Sequence, residues 1–362
     1  MEWDIFCRVV DNFGDIGVCW RLAADLASRG ESVRLWVDDA SALAWMAPEE
    51  TRPPSVILVP WTDDTPPLGP GDVVVEAFGC NPPHAFVERM ARRAPAPVWI
   101  NLEYLSAEPY AERSHLLPSP QSSGPGAGLV KRFYYPGFTP SSGGLIREPD
   151  LLARQRRFDP DAWLRAQRLQ RIAGHAGERI VSLFCYANDA LPELLDGLAR
   201  EPTLLLATAG RASQQVRQQL GSEMRRGALR AVALPPLSQL DFDHLLWASD
   251  LNFVRGEDSF VRAQWAARPF VWQIYPQADE VHLEKLDAFL DALLAAAPLR
   301  FSAALRRLHH AWTANAAWPS PGDWPDASRW HRLADEWRAG LVGNDDQTGR
   351  LLRLAQPNEL AG

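Results

Sequence analysis

The chain has 362 residues, 46% hydrophobic and 23% charged, with a formal net charge of -8. That length suits two domains with separate cores, and the composition excludes disorder, collagen and coiled coil as the organising theme. The acidic balance argues against nucleic acid as a partner, because phosphate binding needs a basic footprint.

The amino-terminal MEWDIFCRVVDNFGD carries acids where a signal peptide needs basic residues and an apolar run. No uncharged apolar stretch reaches the roughly 18 residues of a membrane span. A cytoplasmic protein with no membrane partner is expected. Cys7, Cys19, Cys80 and Cys185 have neither CxxC spacing nor a paired His, and read as free thiols in a reducing compartment.

In chain order, DIFCRVV (4–10) and SVRLWV (32–37) read as strands flanking a helix from about Gly17 to Ser28, which Gly30 stops. SVILVP (55–60), DVVVEAF (72–78) and PVWINLE (97–103) continue the strand series, with a helix over 83–93. From His115 to Glu148, PSPQSSGPGAG and GFTPSSGG predict a surface loop near the domain boundary, without a central strand. A second series follows: strands over 178–186, 203–208, 229–234, 250–255 and 269–274, helices over 189–200, 211–220, 238–247, 259–267 and 279–296. Beyond 298 the chain reads as helical, interrupted at 318–325. The expected fold class is α/β, two Rossmann-like domains facing a central cleft, with ligands beyond the carboxyl ends of the strands.

Three strand ends carry candidate chemistry. In DNFGDIGVCWRLA (11–23), Gly14 and Gly17 permit a tight turn, and Asp11 and Asp15 flank it. Asp15 is placed either to cap the helix or to meet a ligand. GxGxxG is absent, and two carboxylates would repel a diphosphate, which points to a cationic or proton-donating substrate. In RGEDS (255–259), Arg255 and Ser259 stand at a helix start, an arrangement fit for an anion or for simple capping. Asp258 is placed to cap that helix and Glu257 to complement its dipole. In SLFCYAN (182–188), Phe184 and Tyr186 share one face of an extended segment, either toward a nucleotide or into the core. Asp38-Asp39, Asp63-Asp64 and Asp345-Asp346 read as solvated turns. His309-His310 lacks a zinc-site partner, and the seven arginines from Arg154 to Arg179 read as a solvated helical face.

Together, DNFGDIGVCWRLA, SLFCYAN, LNFVRGEDSFVRAQWA with PFVWQIYPQ, and YYPGF (134–138) give a chain that resembles the bacterial elongation factor P arginine rhamnosyltransferases, the EarP family. The resemblance covers nearly the whole length. It implies an inverting GT-B glycosyltransferase that moves L-rhamnose from dTDP-β-L-rhamnose to an arginine of elongation factor P, without cofactor or metal. Asp11, Asp15 and Glu257 then match catalytic positions. Arg255, Asp258, Ser259 and Tyr275 match diphosphate positions, Phe184, Tyr186, Gln239 and Phe242 the nucleotide pocket, and Gly256 is a further substrate-binding residue. Asn12, Phe13 and Gly14 fall on the substrate-binding turn. Pro236, in LPPLSQ, departs from the aromatic that the family pattern implies. The implied domains are an acceptor-binding 1–155, a nucleotide-sugar-binding 156–340, and a carboxyl-terminal helix within 341–362 that packs back on the first. The alternatives are a GT-B enzyme with another acceptor and a non-catalytic nucleotide-sugar-binding module.

Overall fold

The computed structural model describes residues 1–10, 13–62, 67–169, 177–276, 281–314 and 316–356. The chain divides into two compact units, Met1–Pro149 with Leu341–Gly362, and Asp150–Gly340.

The first unit runs β1 (Glu2–Cys7), α1 (Gly14–Ser28), β2 (Ser32–Val37), α2 (Leu43–Met46), β3 (Val56–Pro60), β4 (Val73–Ala77), α3 (His84–Arg92), β5 (Val98–Leu102), α4 (Pro109–Ser114), β6 (Pro118–Pro120) and β7 (Val130–Tyr134). The sheet order is β3-β2-β1-β4-β5-β7-β6, parallel except where β6 opposes β7. Strand alternation sorts the core into two faces. Trp3, Ile5 and Cys7 meet Ile16, Leu22 and Leu26 of α1, whereas Phe6 joins Trp36, Val74, Phe86 and Trp99 on the other side. Asp4 also lies on that second face. Being a buried charge, it needs compensation, which Arg34 supplies through two bonds of 2.7 Å, with Trp36 Nε1–H at 2.7 Å.

Strand β1 is shorter than its apolar run. Beyond Cys7 the backbone leaves the sheet because carboxylates take its donors: Val9 N–H goes to Asp38 at 2.9 Å and Val10 N–H to Asp15 at 2.8 Å. The stretch from 115 to 148 corrects the sequence reading more sharply. It is no surface loop, since β7 lies between β5 and β6 inside the sheet. Phe138, Leu145 and Ile146 are buried. Lys131 of β7 pairs with the buried Glu76 of β4, which lets a basic run enter the sheet. At Gly143 any Cβ would lie 2.3 Å from the Tyr134 ring, so the glycine-rich run permits close packing rather than looseness.

The second unit runs α5 (Leu151–Arg157), α6 (Pro160–Ala166), β8 (Arg179–Leu183), α7 (Leu191–Leu198), β9 (Thr203–Ala207), α8 (Arg211–Leu220), β10 (Arg225–Arg226), β11 (Leu229–Ala233), α9 (Gln239–Ala248), β12 (Leu251–Arg255), α10 (Asp258–Ala266), β13 (Phe270–Gln273), α11 (Val281–Leu294), α12 (Leu299–Thr313) and α13 (Ala327–Val342). Its sheet order is β10-β11-β9-β8-β12-β13, with only β10 antiparallel. The continuous apolar run of β9 is buried throughout, as a doubly covered parallel strand requires. Asp243 of α9 and Arg262 of α10 form a fully buried bidentate pair, 2.8 and 2.6 Å, that fixes one helix against the other.

The last helix, α14 (Gln347–Leu354), belongs to the first unit and adds Leu351 and Leu354 to the core under α1. Asp346 is not a solvated turn residue. It caps α14 by accepting the Gly349 N–H at 2.8 Å and pairs with Arg29 at 2.7 Å. Asp38 and Asp39 are exposed, and Asp63-Asp64 lies outside the described residues. Arg179 is likewise no part of a helical face, because it opens β8.

Candidate functional site

Each sheet reverses its winding once. In the first unit the chain moves outward from β1 through β2 to β3, then restarts on the other side at β4. In the second it moves from β8 to β9 and β11, then restarts at β12. Open α/β sheets bind ligands at the carboxyl ends beside such a reversal. The sequence-expected residues that are described fall at these two places.

In the first unit, Asp11 and Asn12 lie outside the described residues. Phe13 is the cap residue of α1, with its ring edge-on to Trp45 at 5.1 Å, and Gly14 opens the helix. Asp15 sits inside the first turn rather than at the cap, where its charge complements the helix dipole. It is buried, and its carboxylate is oriented from two sides. One oxygen accepts the Val10 N–H at 2.8 Å and the other accepts the Tyr104 hydroxyl at 3.3 Å. Tyr104 follows β5 and stacks on Phe78, which follows β4, with ring centroids 4.2 Å apart. Phe78 holds a φ of +57°, uncommon for an aromatic residue, and so turns its ring onto Tyr104. The bond to Cys7 and burial hold the Cys19 thiol well above its ordinary range, and burial pushes Cys80 up to about 12. Neither thiol is a ready nucleophile. The result is a buried carboxylate beside a half-buried Phe78 and an exposed Tyr104, a surface suited to a planar cation.

The second unit gathers Phe184, Tyr186, Gln239, Phe242, Arg255, Gly256, Asp258, Ser259 and Tyr275 at one strand-end cluster. The parallel pairing of β8 with β12 brings SLFCY beside VRGEDS. The Arg255 guanidinium carbon lies 4.5 Å from the Phe184 ring centroid and 4.3 Å from that of Tyr186. Phe242 meets Phe184 edge-on at 5.6 Å, and Tyr275 meets Tyr186 at 5.4 Å. Ser259 locks the turn: its hydroxyl oxygen accepts the Arg255 N–H at 3.1 Å and its O–H donates to the Arg255 carbonyl. Gly256 takes a φ of +60°, and its carbonyl accepts the Trp272 indole N–H at 2.7 Å. Glu257 occupies the cap position of α10 without a side-chain capping bond. The Gln239 amide lies 3.5 Å from Asp258, joining the starts of α9 and α10. Two helix N-termini, a guanidinium and a set of aromatic rings therefore converge, which is the chemistry of a phosphate group attached to a flat base. Trp265 and Phe270 are core, and burial lifts the Cys185 thiol to about 12.

Sequence reasoning missed Tyr104, Phe78, Gln215 and Gln273. The two glutamines act on the backbone: Gln273 accepts the Tyr186 N–H at 2.8 Å and Gln215 donates to the Tyr186 carbonyl at 3.1 Å. Their one available signal was position, since Tyr104 and Phe78 each follow a buried strand. Among the described residues, no three His, Cys, Asp or Glu side chains gather as metal ligands. His310 bonds Asp287 at 2.8 Å instead. No helix among the described residues is long and apolar enough to cross a membrane.

Comparison with known proteins places this geometry. Residues 3–356 match the family model described as elongation factor P (EF-P) rhamnosyltransferase EarP. A protein-arginine rhamnosyltransferase of Pseudomonas aeruginosa is 43% identical over 373 aligned residues, covering 98% of each chain. A structure solved for EarP-mediated arginine glycosylation of translation elongation factor EF-P superposes with a TM-score of 0.66 at 32% identity, covering 97% of both chains. The glycosyltransferase VinC, solved with dTDP, shares the fold at a TM-score of 0.51 and 15% identity, covering 98% of this chain and 99% of its own. The chain is a glycosyltransferase of the GT-B class and belongs to the EarP family of elongation factor P arginine rhamnosyltransferases.

Proposed function

We propose that this enzyme transfers L-rhamnose from dTDP-β-L-rhamnose to an arginine of elongation factor P by a single inverting displacement, in the cytoplasm. The observation that carries the division of roles is that Arg255 stacks between two aromatic rings at the second unit's sheet reversal, while Asp15 occupies the first unit's. The donor's diphosphate is assigned to Arg255, Ser259 and the start of α10, and its base to Phe184, Tyr186 and Phe242. Tyr275 and Gln239 border the diphosphate and the base. Cationic donors held in place stabilise the charge that develops on the departing dTDP.

The acceptor guanidinium is assigned to Asp15 and the Tyr104–Phe78 shelf, together with Asp11 and Asn12, which precede Asp15 in the sequence. Its pKa above about 12 bars simple deprotonation in the ground state. Asp15 instead orients the group and receives its proton as the nitrogen bonds to the anomeric carbon. The carbon–oxygen bond to dTDP breaks in the same step, and its electron pair leaves with the diphosphate. Charge at that carbon is oxocarbenium-like, and Glu257 orients the sugar. No step in this sequence calls on a metal.

Intact-mass spectrometry of elongation factor P incubated with the enzyme and dTDP-rhamnose, followed by fragmentation of the modified peptide and NMR of its anomeric linkage, tests this reading. A gain of one deoxyhexose, localised to an arginine and of α configuration, is expected. A bound donor with no gain, or a β-linked product, contradicts it.

A further inference from the structure

The opposite edge of the second unit's sheet carries a feature that glycosyl transfer does not use. Where β8 and β9 begin and α7 ends, a recess of about 140 Å³ is lined by Arg179, Gly197, Leu198, Arg200, Glu201, Thr203 and Trp324. Arg179 is the first residue of β8 and Thr203 the first of β9, so the recess lies at the amino ends of these strands. Phe184, Tyr186 and Arg255 stand at the carboxyl ends.

The polar groups of this recess are mismatched in one direction. The Arg179 side chain is half-buried and lies with its guanidinium carbon 5.8 Å from the Trp324 ring centroid. Among the described residues no carboxylate or carbonyl reaches it at ion-pair or hydrogen-bond distance. Burial draws its pKa down, and the more distant Asp250 and Glu201 offset that only in part. Arginine does not escape this cost by losing a proton. The Asp250 carboxylate is engaged elsewhere, accepting the Ile180 N–H at 2.8 Å. The Trp324 indole N–H is buried with no partner among the described residues. A withdrawn donor without an acceptor is costly; the Trp324 N–H is one, and the half-buried Arg179 guanidinium borders the same recess. Thr203 gives its hydroxyl proton to the Glu201 carbonyl at 3.0 Å. Arg200 and Glu201, both exposed, stand at the rim and nearly cancel.

We propose that this recess is a second ligand site, taking a small oxyanion that accepts from the Arg179 guanidinium and the Trp324 indole N–H. Its volume is close to that of a cavity that admits one benzene, roughly 150 Å³, enough for a phosphate or a small carboxylate and too little for a nucleotide. A bound anion would join the start of two sheet strands to the loop that carries Trp324. It would do so at the end of the sheet away from the reacting groups.

The test is calorimetric titration of inorganic phosphate into the full chain carrying Arg255→Gln, which removes the guanidinium at the carboxyl-end cluster. Chloride at equal ionic strength is the reference. Saturable phosphate binding is expected, weakened about tenfold or more by adding Arg179→Gln and about threefold by Trp324→Phe, which keeps the ring and deletes the N–H. Should Arg179→Gln fail to fold, Trp324→Phe decides alone. Acetate in place of phosphate separates the two sources of the same chemistry: tighter phosphate assigns a phosphoryl ligand, tighter acetate a carboxylate. Binding of neither anion above chloride, or binding that both substitutions leave unchanged, overturns the site.

Discussion

The two sheet reversals use one topology for opposite charges. At β1/β4 the chain leaves a buried carboxylate, Asp15, beneath stacked Tyr104 and Phe78. At β8/β12 it leaves a guanidinium, Arg255, between Phe184 and Tyr186. Both place beside the reversal an α-helix N-terminus with an acid in its first turn, Asp15 in α1 and Asp258 in α10, and the second adds a guanidinium against two aromatic rings. The difference lies in a few side chains at the strand ends, and it separates a place for a cation from a place for an anion.

Substitutions that remove one charge at a time break this comparison, and the largest effect belongs to the acid. Asp15→Asn keeps the Val10 and Tyr104 contacts in outline but cannot receive a proton. Transfer rate should fall on the order of a thousandfold, measured by intact mass of the acceptor against time, with donor affinity held. Next comes the brace behind the anion site. Arg262→Ala strands the buried Asp243 and should lower unfolding stability by about 3–5 kcal/mol, read by urea denaturation. Arg255→Gln should weaken dTDP binding by about ten- to a hundredfold. Tyr104→Phe removes the long bond to Asp15 and should slow transfer by roughly threefold to tenfold.

The smallest effect sharpens the comparison by pH, because each unit holds an imidazole that burial draws down. Burial, followed by nearby Arg350, holds His115 of the first unit down to about 4. Burial likewise holds His309 of the second down to about 4, with its ring nitrogen 3.0 Å from the Leu305 carbonyl. Unfolded, each titrates near its ordinary value of about 6.5. Between those values the unfolded chain binds more protons, so stability present above about pH 6.5 declines as pH falls toward 4. His115→Gln and His309→Gln should each flatten that decline in a thermal melt series, and an unchanged slope in both would remove the histidines as its cause.

Much of this architecture was legible because it is periodic or punctuated. SVRLWV became β2 and 211–220 became α8 without adjustment, since apolar runs and helical spacing report local structure directly. What stayed hidden depends on partners far along the chain. VKRFY fell within the stretch read as a loop, and its place inside the sheet rests on Glu76, in another strand, which pairs with Lys131. DIFCRVV looked like one strand until Asp38 and Asp15 took its last donors. At the anion site the residues themselves were readable, whereas the stacking of Arg255 on Tyr186 needed β8 and β12 to lie side by side. Tyr104 escaped notice because an aromatic after a strand is usually core; only the neighbouring Phe78 and Asp15 give it a purpose.

The separation of charges is tested most directly by titrating dTDP, by calorimetry, into the wild-type enzyme, Asp15→Asn and Arg255→Gln in parallel. The account predicts wild-type affinity for Asp15→Asn and a loss of tenfold or more for Arg255→Gln. Equal losses in both, or a loss confined to Asp15→Asn, would contradict it.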